Sequence, residues 1–186
     1  MSTNSTYNGS NVASFDDDSD VTFVAVAIGM ETEWVVRELQ LTDSEDANGP
    51  ESLERLMAAL RNIRSEGALV CLVCIDDDWS AIIRPTPGGA KLLISDATAA
   101  LDYPLAADML DELDVDAPTE EEAENTDEPW PEGDFDLLDD MGSSEQVLSV
   151  IFDDDELYAS EQVLRVAEEL GFAEQLAEEI GLELDF

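Results

Sequence analysis

The chain has 186 residues, 47 of them acidic and 7 basic, giving a net charge of −40 with no histidine. A surface this negative repels phosphate backbones, because non-specific nucleic-acid affinity comes from Lys and Arg displacing counterions, and it repels anionic membranes too. Missing histidine removes the commonest general base near neutral pH and the commonest metal ligand. Composition therefore points to a protein-binding partner rather than a catalyst.

The acid is unevenly placed. Residues 1–20 carry 4 acids, residues 21–113 carry 17 against 6 bases, and residues 114–186 carry 26 against Arg165 alone. Salt adaptation gives acidic, lysine-poor chains, and Lys91 is the sole lysine here. It would, however, acidify all exposed faces alike, and acidic self-repulsion for solubility would do the same. Neither accounts for the asymmetry.

Met1–Asp20 is Ser/Asn/Thr-rich, ends in aspartates, and has neither the basic n-region nor the apolar h-region of a signal peptide. It reads as a disordered acidic tail. Val21–Ile28 (VTFVAVAI) is short, apolar and β-branched, as a central strand covered on both faces would be. Glu33–Leu39 follows as its hairpin partner, and Leu41–Gly49 as a polar loop. Pro50 marks a helix start with Asn48 as a cap. Leu53, Leu56, Met57, Leu60 and Ile63 then give one apolar stripe, closed by Gly67. Ala68–Ile75, Trp79–Arg84 and Lys91–Ile94 form a meander turning at Asp76-Asp77-Asp78 and Pro87-Gly88-Gly89. A helix over Pro104–Leu113 completes the order ββαβββα.

The expected architecture is α+β: an antiparallel sheet of about five strands over residues 21–113, with helices on one side. Residues 114–133 are too acidic and too poor in large apolar side chains to offset ordering entropy, and read as a linker. Residues 134–186 read as a helical segment, with helices over Ser143–Phe152, Ser160–Leu170 (capped by Ser160) and Phe172–Ile180. This segment docks either on the sheet or on something else. No stretch approaches the roughly 18 consecutive apolar residues of a membrane span, and a soluble cytoplasmic protein is expected by default.

Candidate chemistry is thin. Cys71 and Cys74 form C-x-x-C, but residues three apart on a strand point to opposite faces, and no second pair completes a metal site. They read as buried apolar groups. Asp76–Asp78 and Asp153–Glu156 lack the alternating oxygens and central glycine of a calcium loop, so no metal is expected. The Pro87–Gly89 turn joins two strands and lacks a P-loop pattern, and serine nucleophiles lack a histidine partner. No cofactor and no catalytic residue is assigned. Three features remain as candidate partner contacts. They are Arg84 and Lys91 flanking the PGG turn; the polar-aromatic loop with Asp96, Asp102 and Tyr103; and Phe135, Leu138 and Met141 set among acids. The last group suits either a docking helix for a basic groove or packing on the chain's own sheet.

The run from Leu69, with its PGG turn, LLISDATAALD at Leu92–Asp102 and YPLAADMLDEL at Tyr103–Leu113, resembles the tRNA adenosine deaminase-associated proteins of actinobacteria. GDFDLLDDMG at Gly133–Gly142 and LYASEQVLRVAEELGF at Leu157–Phe172 fit as well, and the resemblance spans roughly Val21–Ile180. It implies association with the enzyme that converts wobble adenosine to inosine, and it brings no catalytic residues. The chain is not that deaminase: H-x-E and P-C-x-x-C are absent, and Val70 stands before Cys71. The expected role is a non-catalytic accessory protein that binds a basic protein, the deaminase being the implied partner, with no direct nucleic-acid or membrane contact. The alternative is a general acidic scaffold or nucleic-acid mimic. Metal-assisted hydrolysis through aspartates ranks third.

Overall fold

Three central strands set the architecture, because their side chains are apolar on both faces. The computed structural model describes residues 21–39, 52–65 and 67–182. The amino-terminal tail and the whole polar loop, with Asn48 and Pro50, lie outside them. Six strands form one antiparallel sheet in the order β2-β1-β3-β4-β5-β6: β1 Phe23–Gly29, β2 Trp34–Glu38, β3 Leu69–Ile75, β4 Trp79–Thr86, β5 Gly89–Ile94 and β6 Glu132–Gly133. Helix α1 (Leu53–Arg61) lies between β2 and β3 in the chain, and α2 (Pro104–Glu112) follows β5 after a 3-10 turn at Ala97–Leu101. A short acidic helix α3 (Glu120–Glu124) precedes β6, and α4 (Glu145–Asp153), α5 (Ala159–Leu170) and α6 (Ala173–Ile180) follow it.

Strand alternation divides the core in two. Val24, Val26, Cys71, Val73 and Ile83 face α1 and α2, meeting Leu56, Leu60, Leu105 and Met109. Phe23, Ala25, Leu72, Cys74 and Ile82 face the other way and meet Phe152, Val163, Phe172 and Leu176 from α4–α6. The expected class holds, with two corrections. Helices cover both faces rather than one, because the carboxy-terminal helices supply the second cover. The sheet also has six strands, because residues 114–133 contribute β6.

Local chemistry explains the element ends. Helix α1 begins after Ser52, whose hydroxyl accepts from the Arg55 N–H. It ends at Asn62, so Gly67 is not its cap. A Cβ at Gly67 would sit 1.7 Å from the Gly29 carbonyl oxygen, so glycine there permits close approach of two backbones. Helix α5 is also not capped by Ser160: its N-cap is Tyr158, and Ser160 lies in the first turn.

β6 survives among prolines because Gly133 fits where nothing else would. Its φ is +133°, and an added Cβ would lie 2.2 Å from the Leu92 oxygen. Asp134 locks the position: its N–H donates to the Leu92 carbonyl at 2.7 Å, and its carboxylate accepts from the Leu92 N–H at 3.1 Å. Gly133→Ala should therefore cost about 1–3 kcal/mol in urea unfolding. Gly142→Ala, at φ +101° with nothing near its Cβ, should cost only about 1 kcal/mol. Equal losses in the two variants would refute the close-packing account of β6.

Candidate partner-binding surface

Arg84 and Lys91 are register partners on β4 and β5, and both are engaged within the chain. The Arg84 guanidinium donates to the Leu137 carbonyl at 2.9 Å and forks onto both carboxylate oxygens of Asp140. Lys91 pairs with Asp136 at 3.4 Å. Between these anchors Leu138 is fully buried, while Phe135 and Met141 pack half-buried against the same core. The segment 134–141 thus lies on the chain's own sheet, held by a bidentate cation and an apolar side chain. The Arg84 fork holds the Asp140 carboxyl below its ordinary value, so this contribution is present at neutral pH and is lost as pH falls below 3.8 toward the depressed value.

The other candidates gather at the opposite kind of place, where acid is concentrated. Asp76 and Asp77 both adopt left-handed backbone conformations, with φ of +54° and +51°, which aspartate tolerates better than most residues. Asp76 exchanges hydrogen bonds with Thr22 and accepts the Tyr103 hydroxyl at 2.9 Å. Asp77 accepts the Ser160 N–H at 2.7 Å, an anion at a helix amino terminus, where the dipole favours it. One hairpin turn is therefore tied to the start of β1, to α2 and to α5. Asp96 caps the following 3-10 turn through Thr98, and Asp102 ends that turn.

Beside the turn lies a depression of about 240 Å³ whose wall carries Asp78, Asp96, Asp127, Glu128, Asp154 and Asp155. Among the described residues lining it, none is basic. Its floor includes Gln162, nearly fully buried, whose side-chain oxygen accepts the Ser80 hydroxyl at 2.9 Å. Partial burial, followed by the charges of Asp96, Asp76 and Asp102, pushes the Asp78 carboxyl above its ordinary value, with the Tyr103 hydroxyl partly offsetting them. Burial first, then the Asp76 hydrogen bond, raises the Tyr103 phenol in turn. The arrangement is an anionic concavity whose carboxylates come from four parts of the chain: the β3–β4 turn, the start of the 3-10 turn, and the loops that follow α3 and α4. Of the residues that sequence reading offered as partner contacts, Asp96 alone is among its described lining; Asp127 and Glu128 were missed, and Asp154 and Asp155 were weighed only as a metal site, because their convergence is a tertiary fact. Arg84, Lys91, Asp102, Tyr103, Phe135, Leu138 and Met141 are absent from its described lining.

The cysteines lie where strand geometry puts them. Cys71 is buried in the core beneath α1 and α2, and Cys74 in the core beneath α4–α6. Both are free thiols, and burial pushes both up. No group of three or more metal-ligating side chains is found among the described residues. Likewise no helix among them is long and apolar enough to cross a membrane.

Two predictions follow from these charges. Arg84→Met keeps the aliphatic stem and removes the fork; it should cost about 1–2 kcal/mol at pH 7 and speed amide exchange across 134–141, whereas unchanged exchange there would rule out the anchoring role. Asp78→Asn should raise the urea midpoint at pH 7. Because the native Asp78 carboxyl titrates above its ordinary 3.8, its penalty is full at neutral pH and fades as pH falls through the raised value. The gap between variant and parent should then close on acidification; a variant no more stable at pH 7 would contradict the assignment.

Comparison with known proteins places this geometry. Protein Rv3753c from Mycobacterium tuberculosis (strain ATCC 25618 / H37Rv) is 51% identical over 132 residues, covering 69% of this chain and 75% of that protein. No solved structure gives a significant match. The model of the Rv3753c-like tRNA adenosine deaminase-associated proteins matches residues 22–173, a span that runs from β1 to the first residue of α6 and takes in every wall of the acidic depression. The chain belongs to the Rv3753c-like tRNA adenosine deaminase-associated protein family.

Proposed function

We propose that the chain is a non-catalytic accessory protein that binds the tRNA adenosine deaminase directly, with the acid-lined depression as receptor for a lysine or arginine of that enzyme. The observation that carries this reading is the convergence of six carboxylates on one concavity with no cation among its described lining residues. An enzyme that acts on tRNA presents a basic face. Its long cationic side chains can leave their aliphatic stems in contact with protein while the charged head enters the depression. Opposed potentials then steer encounter and fix orientation more than they add affinity. The family's description as deaminase-associated supports the choice of partner. Excess acid also keeps this chain off the tRNA itself, so the enzyme rather than its substrate is what it engages.

The test neutralises Asp127, Glu128 and Asp155 together (D127N/E128Q/D155N). None of these carboxylates accepts a hydrogen bond within the described residues, so the fold should persist. Titrating the purified deaminase should give at least a fivefold weaker Kd for the triple variant, and a shallower dependence of log Kd on log salt. An unchanged Kd would refute the receptor. A parent chain that binds unrelated basic proteins such as lysozyme as tightly as the deaminase would instead favour the general acidic scaffold.

A further inference from the structure

A second concavity adjoins the first. It lies between α4 and α5, has a volume of about 570 Å³, and is floored by Val147, Val150, Ile151 and Leu157. Its size falls within the usual range of binding clefts, about 300–1,000 Å³. Val150 is 72% exposed and neighbouring Tyr158 67% exposed, two of the four large apolar side chains left open among the described residues. Helix α4 turns its Leu148 and Phe152 into the core, so Val150 is a valine on the outward face of an already amphipathic helix. Core packing does not account for it. The rim is acidic, with Asp154 at one end and Glu168 and Glu169 along α5. Arg165 sits on the α5 wall and pairs with Glu168 at 3.9 Å.

The two concavities share Asp154 and Leu157. These two residues thus form a common wall between an apolar cleft and a carboxylate-lined pit. We infer that the α4–α5 cleft and the pit together dock one basic amphipathic helix of a protein partner. Its apolar side chains seat on Val147, Val150 and Leu157, and a lysine or arginine beside them reaches over Asp154 into the pit. Both cleft walls are helices, so the surface offers ridges and grooves to a third helix and no free strand edge for β-addition. Acidic rims on both sides select against an acidic or phosphorylated segment. This inference rests on the reading of the chain as an accessory protein and names the part of the partner that it holds.

The experiment uses the full chain and two probes. One is the purified deaminase; the other is a 21-residue helical peptide with leucine at the a and d positions of each heptad and lysine elsewhere. Backbone-resolved NMR with the peptide should shift the amides of Val147, Val150, Asp154 and Leu157, and Val150→Asn should weaken both probes at least fivefold while Val150→Leu restores binding. Val150 is largely exposed, so these variants should fold as the parent does. Absence of shifts at the cleft, or a peptide affinity indifferent to Val150→Asn, would overturn the inference. A deaminase whose Kd responds to the three carboxylate substitutions but not to Val150→Asn would also overturn it, while leaving the accessory role standing. If the deaminase does not bind at all, the accessory role fails and the peptide result alone decides the cleft. A parent chain that sediments as a dimer, dissociated by Val150→Asn, would assign the cleft to a second copy and overturn it as well.

Discussion

With seven cations for 47 carboxylates, this protein cannot balance its charge by ion pairing, and backbone N–H groups take over part of that role. Asp77 accepts from the first turn of α5 and Asp108 from the first residue of α1. Asp134 accepts from β5, and Glu179 from the edge strand β2. Each of these contacts joins elements distant in sequence, and two place an anion at a helix amino terminus, where orphan donors need a partner. Hydrogen bonds from a carboxylate to backbone amides are charge-assisted and stronger than neutral ones. The same side chains that burden the fold with repulsion therefore also hold its layers together.

This constraint sorts the acid into two populations. Carboxylates at junctions are satisfied by amides, and Asp140 and Asp136 by the pair of cations on β4 and β5. Among the rest, Asp127, Glu128 and Asp155 have no such partner within the described residues and line the depression near the β3–β4 turn. Association with a basic surface relieves their mutual repulsion, whereas folding alone does not. Function on this account grows out of the charge that the fold leaves unbalanced.

Much of the architecture was legible because apolar periodicity is a local signal. The strand runs around Val24, Val73 and Ile83 and the helical stripes through Leu56 and Val163 needed no tertiary information. The opposed fates of Cys71 and Cys74 also followed from strand alternation. Other features were hidden for identifiable reasons. β6 is two residues long and lies in a proline-flanked acidic stretch, so composition said linker; only Gly133 hinted otherwise. That the helices after Ser144 would cover the second sheet face was implicit in strands apolar on both faces, yet the choice between docking on the sheet and docking elsewhere is not a local property. The Thr119-x-x-Glu122 capping box, whose reciprocal hydrogen bonds form α3, was readable and was overlooked because acid density suggested disorder. The candidate site was the least legible part. Arg84 and Lys91 looked like surface cations because their partners, Asp140 and Asp136, stand some fifty positions away, and the pit's wall is assembled from segments no spacing rule connects.

The central claim is that this chain meets the deaminase directly through its acidic surface. Sedimentation velocity of the full chain mixed with the purified enzyme, at low and at moderate salt, tests it most simply. The account predicts a discrete faster-sedimenting complex of fixed stoichiometry at low salt, whose population falls as salt rises. Two components that sediment independently at low salt would contradict it.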